Sequence, residues 1–276
     1  MWEGPLKQTN SKFNGWKIIL YCTGFNLLFE YAVRGINNLL VIPLLPILLF
    51  STYFAYFTIF EDLIVRYRLR DHQAMLLGFF IGIIIMAFTG GQLFNPPTNL
   101  QFLYIFGINY RDLLFVNIFW WSLFQTVLTF YLVNRISPRD WDHPQMGKGG
   151  WTLALLLLGL SLLIFQLNPH VPRGSLVGYI SMAILVGVFG YLSYRSIKNN
   201  LEQEIPKFEP SKFYDIIMIS TIVVSAFCAI FLIQDPTMFG ASTVNRLASL
   251  IIIFLGLILG IVVILYRIIS KQPISI

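Results

Sequence analysis

Eight stretches of mainly apolar residues, each close to twenty long, recur along this chain, and their recurrence decides what it can fold into. A helix needs about 20 such residues to cross the roughly 30 Å hydrocarbon core of a bilayer. The stretches run over residues 17–34, 39–62, 74–94, 113–134, 151–167, 175–194, 213–233 and 247–268. With 57% hydrophobic and only 12% charged residues, too little polar surface is left to wet a soluble globule, whose charged share is about 25%. The same figures exclude disorder, coiled coil and collagen. The expected fold class is all-α: a polytopic integral membrane bundle of eight transmembrane helices, one transmembrane domain over residues 1–276. The first fifteen residues are polar and hold no short apolar core with a cleavage site, so no signal peptide is expected. Cys22 and Cys228 both lie inside apolar runs, which leaves neither a disulfide framework nor a cysteine metal site.

Basic residues orient the bundle. Of the 19 Lys and Arg residues, fifteen fall on the N-terminus, the even connections and the C-terminal end; Arg34, Arg111, Arg173 and Arg246 sit one to each odd connection. Positive residues resist translocation, so the rich side is expected to be cytoplasmic, with both termini inside. The expected location is the plasma membrane, multi-pass. The net charge of +6 is this same bias and attracts anionic lipid. It calls for no nucleic acid.

Polar and aromatic residues are uneven along the chain. Of the 44 aromatic residues, 29 precede residue 135. The first half (1–134) is therefore expected to carry the site and the second (135–276) to pack around it. Spans five and eight read as plain lipid-facing or packing helices. No internal repeat stands out, and two halves of four spans share an orientation, so a four-plus-four inverted repeat is topologically closed to this chain.

In span one, Thr23, Asn26, Glu30, Arg34 and Asn37 recur at three- and four-residue steps and share a helical face. Glu30 lies about 20 Å along the helix from Lys17. A charge at that depth costs at least about 2.5 kcal/mol on insertion scales and normally faces the bundle interior. Arg34, one turn on, can pair with it. Two readings compete: a proton donor or substrate anchor in an outward-opening pocket, and a structural pair that docks span one on its neighbours. The outer parts of spans three and four add Gln92, Arg111 and Asn117, with Trp121 and Gln125 following Asn117 at four-residue steps. Asn109 or Asp112 is expected to cap span four, with Asp112 favoured. Gly90-Gly91 would let backbones approach, and Pro43 and Pro46 would bend span two. Trp120 and Trp121 lie about 12 Å below the outer end of their span, deep enough to wall an apolar pocket, although helix packing alone also explains such bulk.

At the inner side, Asp62 can pair with Arg66 at i+4, and Glu61 and Asp62 are expected to be solvated at the interface. The run Arg139-Asp140-Trp141-Asp142-His143 could hold a divalent cation only through a local turn. Arg139 and Lys148 could then meet phosphate, but a solvated, positively biased loop is the simpler account. No metal site is expected on that account.

The chain has no Walker sequence, no G-x-S-x-G, no H-E-x-x-H and no D-D-x-x-D. No cofactor is named by the residues. The reading that results is a membrane protein binding a lipid-like or isoprenoid molecule in an outward-facing pocket of helices one to four. As an enzyme it would use Glu30 as acid or base held by Arg34, and Asn26, Asn37, Gln92, Arg111, Asn117 and Trp121 to bind substrate. Its partners would be membrane lipids and an apolar small molecule. A proton-coupled permease, or a non-catalytic subunit docked on another membrane protein, are the alternatives.

Overall fold

The computed structural model describes residues 15–34, 44–89, 91–96, 103–137, 139, 141, 146–167, 173–198 and 210–227. Their helices are α1 (Trp16–Arg34), α2 (Leu44–Tyr67), α3 (Asp71–Thr89), the short α4 (Gly91–Phe94), α5 (Tyr110–Ile136), α6 (Lys148–Leu167), α7 (Leu176–Lys198) and α8 (Lys212–Phe227). A two-stranded antiparallel hairpin, β1 (Tyr104–Ile105) and β2 (Ile108–Asn109), precedes α5. Among the described residues, α2, α3, α5, α6 and α7 are long and apolar enough to cross a membrane. The protein is thus an all-α, multi-pass membrane protein. Helix α1, carrying Thr23, Asn26 and Glu30, is more polar, and it buries all three. The eighth span and the end of the seventh lie outside the described residues.

Span two ends later than its hydropathy suggests. Helix α2 is described from Leu44 and carries Pro46 near that end. Pro43 lies outside the described residues. The helix continues to Tyr67 because Glu61, Asp62 and Arg66 all find partners inside the protein. It stops where Arg68 turns left-handed (φ 49°). Leu69 N–H then donates to the Ile64 carbonyl at 3.1 Å, the closing bond of a Schellman turn, with both side chains fully buried. Helix α3 begins at once: the Gln73 side chain accepts from Arg70 N–H at 3.0 Å, a capping interaction.

The segment just before α5 is the hairpin. Phe106 and Gly107 both have positive φ (50° and 74°), the backbone a two-residue turn between twisted strands requires. A side chain at Gly107 would also strike Ser175 and Gly178. This tip therefore seats on the start of α7, where Ser181 donates to the Phe106 carbonyl at 3.1 Å.

Helix α5 is the centre of the bundle. It buries 72% of its most apolar window, against 22% for α6 and 17% for α7. The outward faces of α6 and α7 carry Leu153, Leu156, Leu160, Ile180, Ile184 and Val188, all exposed, as suits helices bordering hydrocarbon. Over Val116–Leu128 the backbone of α5 is a π-helix, thirteen residues where single-turn bulges are the usual form. Helix α3 packs closely against it through Gly78 and Gly82. A Cβ on Gly82 would meet the Asn117 side chain and stand 2.6 Å from Trp121 Cγ.

Candidate functional site

Polar side chains buried between α1, α2, α3 and α5 fall in three tiers. In the outer tier, Tyr53 of α2 donates its hydroxyl to Glu30 Oε2 at 2.8 Å, both residues being buried. The Tyr53 ring lies 6.5 Å from that of Trp121. Trp121 and Asn117 in turn share the surface over Gly82. Three of the residues singled out by spacing, Glu30, Asn117 and Trp121, are thereby linked through Tyr53 and a glycine. Asn117 donates to the Leu113 carbonyl at 3.0 Å and to Met86 sulfur at 3.3 Å.

The middle tier belongs to the π segment. Tyr56 lies 3.0 Å from Thr126 Oγ1, which donates to the Trp121 carbonyl at 2.5 Å. Thr129 donates to the Phe124 carbonyl at 2.9 Å and accepts from Asn26 at 3.1 Å. Both threonines reach the carbonyl five residues back, whereas Thr23, Thr52 and Thr58 in ordinary helix reach four back. Just before Thr126 sits Gln125, fully buried, with neither its amide oxygen nor its nitrogen paired among the described residues. Asn117 Oδ1, Trp121 Nε1, Ser122 Oγ and Asn26 Oδ1 are likewise buried without a partner among the described residues. Each such atom costs about 1–3 kcal/mol, so their concentration on one segment needs a reason.

The inner tier corrects the reading of the acidic pair. Glu61 is not solvated: it receives Arg139 in a fork, with contacts of 2.9, 3.1 and 2.7 Å, the two side chains being 0% and 1% exposed. The guanidinium also lies 5.2 Å from the ring centres of Phe130 and Trp141. Arg139 is therefore committed to Glu61 and is not free to meet phosphate. Asp62 does pair with Arg66, at 2.9 Å, but it too is buried. It also accepts from Met146 N–H at 2.5 Å and Trp151 Nε1 at 2.9 Å. Together the two acids hold the connection between α5 and α6 onto α2.

Other expected residues lie apart. Arg111 sits at the start of α5, bonding Asp112 at 2.9 and 2.6 Å. Asp112 is not the cap of that helix. Asn109 holds the cap position and donates to Asp112 at 2.7 Å, because the hairpin delivers Asn109, not Asp112, to the helix start. The side chains of Arg34 and Gln92, and all of Asn37, Gly90, Asp140, Asp142 and His143, lie outside the described residues. Among the described residues no three His, Cys, Asp or Glu side chains group as metal ligands. Sequence reasoning missed Tyr53 and the glycine face. The signal for the second was present as Gly78-x-x-x-Gly82, the spacing by which membrane helices bring backbones together.

A family model described as "Uncharacterized membrane protein family" matches residues 26–274. No curated protein and no solved structure matches the chain.

Proposed function

We propose, for a chain that belongs to this membrane protein family, that the core of α1, α2, α3 and α5 binds a lipid-like molecule through an uncharged polar head. The observation that carries the reading is the set of unpaired buried atoms on the π segment. A bilayer core supplies no water to satisfy them. Gln125 offers both a donor and an acceptor, Trp121 a donor and Asn117 an acceptor, a set that suits a hydroxyl, carbonyl or amide head. Trp121, Tyr53 and Tyr56 would face the apolar part, as in an isoprenoid. Glu30, held by Tyr53, is the one acid of α1 and would serve as proton donor or acceptor, with Arg34 as its neighbour one turn on. Asn26, Asn37 and Gln92 complete the proposed binding set, with Arg111 at its entrance on the outer side of a plasma-membrane bundle with cytoplasmic termini.

One observation favours a second reading, a proton-coupled carrier. Buried polar groups continue inward from Glu30 and Tyr53 through Tyr56–Thr126 and Asn26–Thr129 to Glu61–Arg139. Mass spectrometry of the organic extract of purified protein tests the first reading. Wild type should carry one apolar ligand in near-stoichiometric amount, and Gln125→Leu should lose it while folding as stably or better. Loss of nothing, with the same stabilisation, would mean that Gln125 serves no ligand. Uptake of a labelled solute into proteoliposomes, abolished by Glu30→Gln, would favour the carrier.

A further inference from the structure

At the base-rich end of the bundle, between α2 and the start of α6, lies an open groove of about 350 Å³ lined by Leu63, Arg66, Tyr67, Met146, Lys148 and Trp151. We propose that it seats the headgroup of an anionic phospholipid, with the phosphodiester between Lys148 and the first turn of α6. This inference is independent of the site in the helix core.

Charge and shape both argue for it. Of the groove's two cations, Arg66 is paired with a carboxylate, that of Asp62. The Asp62 oxygens are taken by Arg66, Met146 N–H and Trp151 Nε1, and Arg66 also donates to the Met146 carbonyl at 3.0 Å. Lys148 is exposed and its ammonium has no partner among the described residues. Among the described lining residues the groove therefore keeps a surplus positive charge. Helix α6 begins at Lys148, so its first amides and the positive end of its dipole add to that charge. Around Gly147 and Gly149 nothing stands within 4 Å of where a side chain would be, which leaves the backbone open to a phosphate oxygen. Leu63, Tyr67, Met146 and Trp151 present an apolar wall for the glycerol and first methylenes. An indole at this level sits where membrane tryptophans prefer to be. A free anion would gain nothing from that wall.

The test is native mass spectrometry of the full-length protein in detergent, titrated with phosphatidylglycerol or with phosphatidylcholine. The first phosphatidylglycerol should bind at least about five-fold tighter than phosphatidylcholine, the ratio one basic residue supplies at a membrane surface. Lys148→Gln should remove that preference, Lys148→Arg should keep it, and Lys212→Gln, a basic change on α8, should leave it intact. Equal loss in Lys148→Gln and Lys212→Gln would overturn the site in favour of diffuse surface attraction. Displacement of the lipid by millimolar inorganic phosphate would overturn the lipid as its occupant. Circular dichroism on each variant keeps misfolding from passing as lost binding.

Discussion

Glu61 and Asp62 are neighbours in sequence yet meet different partners, Arg139 for Glu61 and Arg66, Met146 and Trp151 for Asp62, and their energetics differ accordingly. Asp62 accepts three donors, one of them from its own helix, and that one was legible, since Arg66 is four residues on. The Glu61 partner lies 78 residues away. Nothing in the spacing announces it, although two adjacent acids with one helical cation between them imply a second cation from elsewhere. A buried pair of this kind is costly to break from one side, because the remaining charge is left uncompensated. Arg139→Met should destabilise the protein by about 3–5 kcal/mol, measured by unfolding in mixed micelles. Glu61→Met combined with Arg139→Met should recover most of that loss. A double variant as unstable as the sum of the two single ones would mean that the fork contributes no coupling.

At the scale of elements, apolar length was readable and backbone register was not. Spans one, five and six correspond to α1, α6 and α7, whose starts lie within three residues of the expected ones, because apolar runs with polar flanks mark where hydrocarbon ends. The π segment left no comparable mark. Asn117, Trp121 and Gln125 at four-residue steps read as one face of an α-helix, and they do share a buried face, but in a register where carbonyls bond five residues on. The close approach of α3 depends on that wide segment meeting two glycines. Gly82→Ala would drive a methyl group into Asn117 and Trp121 and should cost about 1–3 kcal/mol, the range for overpacking. Gly24→Ala is the matched control, since nothing lies within 4 Å of its added methyl. It should stabilise α1 by up to about 1 kcal/mol from helix propensity alone. Equal effects in the two variants, followed by thermal unfolding, would argue against a tight α3–α5 seam.

For the whole molecule, the contacts between helix ends decide which residues share a side. Arg66 bonds the Met146 carbonyl, Gln73 bonds the Ser196 carbonyl and Tyr131 bonds the Ser211 carbonyl. These tie the end of α2, the start of α3 and the ends of α5 and α7 to the starts of α6 and α8. At the opposite end, Phe94, the hairpin tip and the start of α7 meet around Gly174 and Gly178. The first end gathers Arg66, Arg68, Arg70, Arg135, Lys148, Arg195, Lys198 and Lys212; the second holds Arg111 and Arg173. A bilayer whose normal runs along the helices must therefore separate these two sets, and the positive-inside bias predicts that the first faces the cytoplasm. In a background with Cys22 and Cys228 replaced by Ser, single cysteines at Phe106 and Arg173 should react with a membrane-impermeant maleimide on intact cells. Those at Arg68 and Lys198 should react only after permeabilisation. Phe106 is 70% exposed and the other three replaced residues lie at chain turns or helix ends, so access to reagent depends on the side and not on burial. Labelling of both sets from outside would break the bundle's alternation. Reversal of the two sets would keep the fold and invert its orientation, bringing the groove beside Lys148 to the outer leaflet.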